Sequence, residues 1–356
     1  MSRATQAGAL GGLVGLVAAG AAAGLAAERY AVGRARLRLD PDAREPFFAL
    51  APDRTRTVQA DDGVDLHVEE VGPEDAELTI VLCHGYTQQM AVWHYQRQAL
   101  AADSSSRLVL WDQRSHGRSG RSSRDRSTID QLGRDLAAVL AASAPTGPVV
   151  LVGHSMGGMT IMALADQRPE LFGDRVVGVA LMSTSAGQLA RVTFGVPSLL
   201  TPLTRRALPW LTRGISRRPG AFERTRGLGT DLAYVVARRI AFGSGEVSPS
   251  LVEFVERLTS ETPVEVIADF YDTFVNHDKL DALHVLRGVE VLVVCGTEDR
   301  LTPVEHSRAI AEALPEAQLV EVEGAGHMVQ LERAPLVTLH LRALVERART
   351  RRTHAA

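Results

Sequence analysis

The chain has 356 residues, 45% hydrophobic and 23% charged, enough for one large α/β domain with insertions or two smaller ones. Its 39 basic and 42 acidic residues leave a net charge of −3, which implies no polyanion partner, and nucleic-acid binding has no compositional support. Lys279 is the only lysine, an arginine bias expected of high-GC codon usage in a bacterial source. Cys83 and Cys295 each lie at the end of an apolar run; they are read as core hydrophobes, and neither a disulfide framework nor a metal-ligand spacing is present.

In chain order, residues 1–30 come first as an apolar segment. Gly8 to Ala27 carry no charge and are mostly Gly, Ala, Leu and Val. About 20 apolar residues suffice to cross a bilayer as a helix, so membrane association is expected. A cleaved signal peptide and a helix packed on the folded body compete with that reading. Arg29, Arg34, Arg36 and Arg38 follow the run and only Arg3 precedes it, which by the positive-inside tendency keeps the body cytoplasmic, with export as the alternative. Residues 31–54, with Pro41, Pro46 and Pro52, are expected to be a linker.

From residue 55 strands and helices alternate. Asp61-Asp62-Gly63 is a turn signal between Thr57–Gln59 and Val64–Val71, which predicts a hairpin. Continuous apolar runs follow at Leu78–Cys83, Leu108–Trp111, Val149–Val152, Val176–Met182, Val289–Cys295 and Ala317–Val322. Helical patterns lie between them, for example Ser127–Ser143 and Met156–Gln167. Unbroken apolar strands separated by helices imply a doubly wound, mostly parallel sheet covered on both faces. The expected organisation is a core in two parts, 55–185 and 277–350, a helical cap at 186–276 and a tail at 351–356. Such an insertion sits over the C-terminal strand ends, where ligands bind. The arginine clusters at 205–206 and 217–218 are read as a solvated face of that cap.

Reactive residues fall at strand ends. A serine hydroxyl needs a base, an acid that orients the base, and donors for the oxyanion. Ser155 stands in Gly153-His154-Ser155-Met156-Gly157, after a predicted strand and before a predicted helix; the flanking small residues are what a nucleophile elbow requires. The bland alternative is a serine that merely caps a helix. Asp299, in Gly296-Thr297-Glu298-Asp299, follows another strand and is the candidate acid, with Glu298 as its competitor. His327, in Gly324-Ala325-Gly326-His327, follows the last strand and completes the chain order Ser, Asp, His. After Leu78–Cys83 come His84-Gly85-Tyr86. The N–H groups of Tyr86 and Met156 are the expected oxyanion donors, Gly85 permits close approach, and His84 is read as a structural hydrogen-bonding residue.

With His84-Gly85-Tyr86, Asp112-Gln113-Arg114-Ser115-His116-Gly117-Arg118-Ser119, the Ser155 pentapeptide and Gly158, Gly296–Asp299 and Gly326-His327 in order, the chain resembles the α/β-hydrolase superfamily over roughly residues 55–345. The Asp112–Ser119 stretch is similar to one found among epoxide hydrolases, haloperoxidase-like enzymes and C–C hydrolases, except that Ser115 replaces the usual glycine. Serine at 155 argues against the aspartate-nucleophile members, and Gly-His-Ser-Met-Gly-Gly also occurs in monoacylglycerol-lipase-like enzymes and carboxylesterases. The resemblance implies cleavage of a carboxylic ester, with an apolar acyl substrate suggested by the cap and N-terminal run. It implies no cofactor and no metal. Thioesterase, lactonase, C–C hydrolase and haloperoxidase-like chemistry are alternatives within the fold; a non-catalytic binding module, or a membrane scaffold built on residues 8–27, are alternatives outside catalysis.

Overall fold

In a computed structural model the described residues are 39–103, 105–189 and 230–355, together with Gly33. Eight strands form one sheet in the order β1-β2-β4-β3-β5-β6-β7-β8: β1 Arg54–Gln59, β2 Asp65–Val71, β3 Leu78–Cys83, β4 Ser106–Trp111, β5 Val149–His154, β6 Val176–Met182, β7 Glu290–Gly296 and β8 Gln318–Val322. β2 runs antiparallel to both its neighbours, and β4 through β8 are parallel. The predicted hairpin is β1–β2, turned at Gly63 with φ 85°.

The central strands are apolar throughout because both faces are covered. Ile80, Leu82, Leu108, Leu110, Val150, Val152, Leu292 and Val294 enter one buried cluster. Their chain neighbours Val81, Cys83, Val109, Trp111, Leu151 and Val293 enter another on the opposite face. This is the period-2 alternation of a strand with a helix layer on each side. Helices α1 His94–Ala101 and α10 Ala334–Ala355 pack on the first face; α2 Ile129–Ser143, α3 Met156–Gln167 and α8 Val304–Ala313 pack on the second. Cys83 and Cys295 are buried and unbridged.

After β3 the chain crosses to β4 on one side, then to β5 on the other side of β3. The crevice at the C-terminal ends of β3 and β5 is therefore the topological switch point, where such sheets place their ligands. Between β6 and β7 the described insertion holds α4 Thr230–Ala241, α5 Pro249–Glu261, α6 Val264–Asp269 and α7 Tyr271–Val275. α5 buries Leu251, Val252, Phe254, Val255 and Leu258 in the same cluster as Met90 and Trp93. Residues 39–53, expected as a linker, are packed on the body: Phe47 stacks on Phe254 of α5 with ring centroids 4.4 Å apart, and Tyr95 of α1 donates to Asp42 at 2.5 Å.

The expected membrane association, and with it the cytoplasmic placement of the body, is corrected. Among the described residues no helix is long and apolar enough to cross a membrane. The longest, the 22-residue α10, carries Arg342, Glu346, Arg347, Arg349 and Arg351, and packs its apolar face on the sheet. The apolar run at 8–27 and the arginine clusters at 205–218 lie outside the described residues.

Candidate active site

Ser155 joins β5 to α3 with φ 53° and ψ −117°, a left-handed conformation that a non-glycine residue holds only when its surroundings impose it. Its N–H donates to the Met182 carbonyl of the adjacent strand at 2.9 Å, and its carbonyl accepts the Thr184 hydroxyl at 2.7 Å. A Cβ on Gly157 would overlap the Cys83 carbonyl, and one on Gly153 would crowd the Gly157 backbone, so only glycine lets strand and helix meet at this angle. Ser155 occupies the N-cap position of α3, yet its hydroxyl makes no capping bond. That removes the bland reading of a helix cap; Ser155, at the switch point, is half-exposed.

His327 and Asp299 are paired with each other. His327 Nδ1 donates to Asp299 Oδ2 at 2.9 Å, and both residues are buried. Glu298 faces away, accepting from the Ser244 N–H at 2.6 Å. Asp299 Oδ1 accepts the N–H groups of Leu301 at 2.8 Å and Thr302 at 2.9 Å, and Oδ2 accepts the Thr302 hydroxyl at 2.9 Å. Burial alone would raise this carboxyl; the adjacent His327 ring and the Thr302 hydrogen bonds outweigh it and hold it below the ordinary carboxylate range. His154, immediately before Ser155, donates from Nε2 to the His327 carbonyl at 2.9 Å, and the two rings lie 4.8 Å apart. The histidine loop is thus tied to the elbow across 173 residues. Burial pushes the His154 ring down to about 3, so it works as a neutral tie.

The loop after β3 is fixed equally firmly. His84 Nδ1 donates to the Gly85 carbonyl at 2.7 Å, while Nε2 accepts the Gln113 N–H at 2.9 Å. That pattern defines one neutral tautomer, in keeping with burial that lowers the ring to about 3. Gln113 returns a bond to the His84 carbonyl at 2.6 Å and accepts the Thr160 hydroxyl of α3 at 2.7 Å. The Gly85 N–H is taken by Gln88 Oε1 at 3.2 Å. Among the described residues, the N–H groups of Tyr86 and Met156 donate to no protein acceptor.

The Asp112–Ser119 stretch braces this floor. Asp112 accepts the N–H groups of Met90 and Arg118, each at 2.8 Å, and burial raises its carboxyl to about 6. Arg114 makes a bidentate pair with Asp135 at 2.6 and 2.7 Å and reaches Asp62 at 2.8 Å. Ser115, in place of the usual glycine, takes φ 66° and uses its hydroxyl to accept the Ser122 N–H at 2.9 Å. Beginning at Met156, the residue after Ser155, Met156, Met159, Leu132, Val266 and Phe270 form a buried apolar cluster with Tyr86 and Phe274 against it. The Tyr86 hydroxyl donates to the Ile267 carbonyl of α6 at 2.5 Å. Gln88, Gln113 and Thr302 carry no pattern that a single sequence reveals, since their partners are set by loop packing. Among the described residues, no group of three or more His, Cys, Asp or Glu is arranged to hold a metal ion.

The sequence pattern of the α/β-hydrolase fold matches residues 79–334. The chain belongs to the α/β-hydrolase family. It is 29% identical over 265 residues to a protein of Azorhizobium caulinodans provisionally named a carbamate hydrolase, covering 74% of this chain and 88% of that one. A lipase of Mycobacterium tuberculosis is 33% identical over 147 residues, 40% of this chain and 54% of the lipase. Among solved structures, the enol-lactonase of Burkholderia xenovorans superposes with a TM-score of 0.63 at 25% identity, over 82% of this α/β-hydrolase and all of that chain. The α/β-hydrolase neighbours thus carry the names of hydrolases with different scissile bonds.

Proposed function

We propose that this α/β-hydrolase cleaves a carboxylic ester through an acyl-enzyme, with Ser155 as nucleophile, His327 as base and Asp299 as the acid that orients it. What supports the reading is the buried His327–Asp299 hydrogen bond, on a loop that His154 ties to the residue before a serine held in a left-handed conformation. With Nδ1 engaged by Asp299, the free face of the His327 ring is Nε2, the atom that takes the serine proton as Ser155 attacks the carbonyl. The negative oxygen then forms against the uncommitted N–H groups of Tyr86 and Met156, the latter at the positive end of α3. His327 next activates water to release the acid. No metal or organic cofactor enters this scheme.

Residues 186–276 act in this reading as a cap, and the apolar wall from Val266 to Phe274 favours an apolar acyl chain. A cyclic ester is the second reading, favoured by the full-length likeness to the enol-lactonase. Purified protein and its Ser155→Ala variant are to be assayed on p-nitrophenyl esters of increasing chain length and on lactones. The expected result is hydrolysis that vanishes in the variant; undiminished hydrolysis by the folded variant removes Ser155 from the mechanism. A fluorophosphonate probe separates an enzyme from a binding module, because only an activated serine is labelled.

A further inference from the structure

The base of the cap is joined to both loops that carry the acid–base pair. Glu332, at the end of the short helix α9 Val329–Glu332, accepts two backbone N–H groups from different parts of the molecule. Oε1 accepts from Gly326, the residue before His327, at 2.7 Å; Oε2 accepts from Gly243, just past α4 of the cap, at 3.0 Å. The two backbones lie against each other: the Met328 N–H donates to the Ala241 carbonyl at 2.9 Å, and a Cβ on Gly326 would overlap Phe242. On the other side of the same segment, Glu298 and Arg300, which flank Asp299, hold Ser244 and the carbonyls of Arg239 and Phe242.

We infer that Glu332 is a positioning residue that fixes the His327 loop by clamping it to residues 241–243 at the base of the cap. The inference rests on the reading of His327 as the catalytic base. A carboxylate has two acceptor oxygens and so satisfies both N–H groups at once; an amide has one, and turns an NH2 toward the other donor. Glu332→Gln therefore keeps size and shape but breaks one arm of the clamp. The arm that fails is next to His327 or across from it, and either way the loop loses a fixed support.

The test compares the full-length chain with Glu332→Gln and Glu332→Asp. Three readouts are needed: kcat and KM on a p-nitrophenyl ester, the rate of fluorophosphonate labelling, and the low-field proton resonance of the His327–Asp299 hydrogen bond. Misplacement of a catalytic group by small distances costs on the order of tenfold to a hundredfold in rate. The expected result for Glu332→Gln is a fall in kcat and in labelling rate of that order, KM nearly unchanged, and a shifted or broadened resonance. Glu332→Asp, with both oxygens retained, is expected to recover part of the loss. A Glu332→Gln protein that melts earlier but keeps wild-type kcat, labelling rate and resonance overturns the inference, because then the clamp serves stability alone. If the wild type itself is not labelled, the reading of Ser155 and His327 has failed, which is a distinguishable outcome.

Discussion

The elbow and the cap are held by different kinds of contact. At the elbow, Ser155 is fixed by its own flanking residues: β5 ends at His154, α3 begins at Met156, and Gly153 and Gly157 let them touch. Its supports are the Met182 carbonyl at the end of β6 and the Thr184 hydroxyl just beyond it. The cap is fixed by side chains that come from far along the chain. Tyr86 holds Ile267 across 181 residues, and Asp40 caps α5 across 210. The geometry of the elbow is thus set mainly by its own flanking residues, while the described part of the cap is placed by contacts distant in sequence, among them the burial of α5 in the main core. In the proposed reading, substrate choice falls to the cap and the chemistry to the elbow.

The sharpest way to break that contrast lies at the orienting acid. Asp299→Asn keeps the shape of the site but offers His327 an amide in place of a carboxylate, which favours the wrong tautomer. A loss in kcat on the order of 10⁴ is expected, by analogy with other serine triads. The assay is ester hydrolysis by the folded variant, and a loss below tenfold would remove Asp299 from the mechanism. A smaller but still severe effect is expected beneath the elbow. Arg114 and Asp135 are both fully buried. Arg114→Met leaves Asp135 buried without its cation, with only Gln131 still donating to it, at a cost of about 3–5 kcal/mol. Denaturant titration would show it, and a midpoint unchanged from wild type would mean the pair adds nothing.

How much was legible follows the same division. The central strands, β3 to β7, could be read because burial on both faces makes them mostly apolar runs such as Leu-Thr-Ile-Val-Leu-Cys, and the order Ser155, Asp299, His327 could be read because each follows the end of a strand. Asp299 was the preferred acid with Glu298 as its competitor, but adjacent acids differ only in which way the loop turns them; folding turns Asp299 to His327 and Glu298 to Ser244. The docking of residues 39–53 was equally invisible. Three prolines and little periodicity look like a linker, and nothing nearby in sequence announces that Phe47 has a partner at 254. Glu332 gave no signal either, because both its partners are backbone groups brought close by folding.

Two buried aspartates give the comparison a pH axis with opposite signs. Burial raises Asp112 from the ordinary 3.8 to about 6, so the folded state binds its proton more tightly than the unfolded one. Stability from this group is therefore present at low pH and lost as pH rises from about 4 to about 6, to an extent on the order of 2–3 kcal/mol. Asp299 is held below the usual range, so its contribution is present above the unfolded value and lost as pH falls through the folded one. Melting temperatures of wild type and Asp112→Asn between pH 4 and 6 isolate the first effect. The variant is expected to lack the downward slope; parallel curves would show that Asp112 is not the group responsible.

The smallest expected effect is the one that tests the contrast most directly. Among the contacts by which residues 39–53 reach α5, three are Phe47 on Phe254, Phe48 beneath the Arg257 guanidinium at 4.1 Å, and Asp40 on the Ser250 N–H at 3.1 Å. That N–H is one of the orphan donors of a helix N-terminus, and Ser248 at the N-cap position makes no side-chain capping bond. Asp40 thus supplies from outside what the N-cap residue does not. Phe47 is half-buried, so Phe47→Ala forfeits the stack and part of its apolar contact, about 1–2 kcal/mol. If the cap opens independently of the core, this loss is felt in α5 alone. Amide hydrogen exchange in residues 249–261 is then expected to quicken by roughly tenfold, with α3 unchanged, because opening free energies differ between cooperative units of one fold. Fluorophosphonate labelling of Ser155 is expected to stay near wild type, since none of the three contacts touches the elbow. Equal acceleration in α3 and α5 would show that the N-terminal segment belongs to the same cooperative unit as the core, and the division between a rigid elbow and a separately held cap would fall.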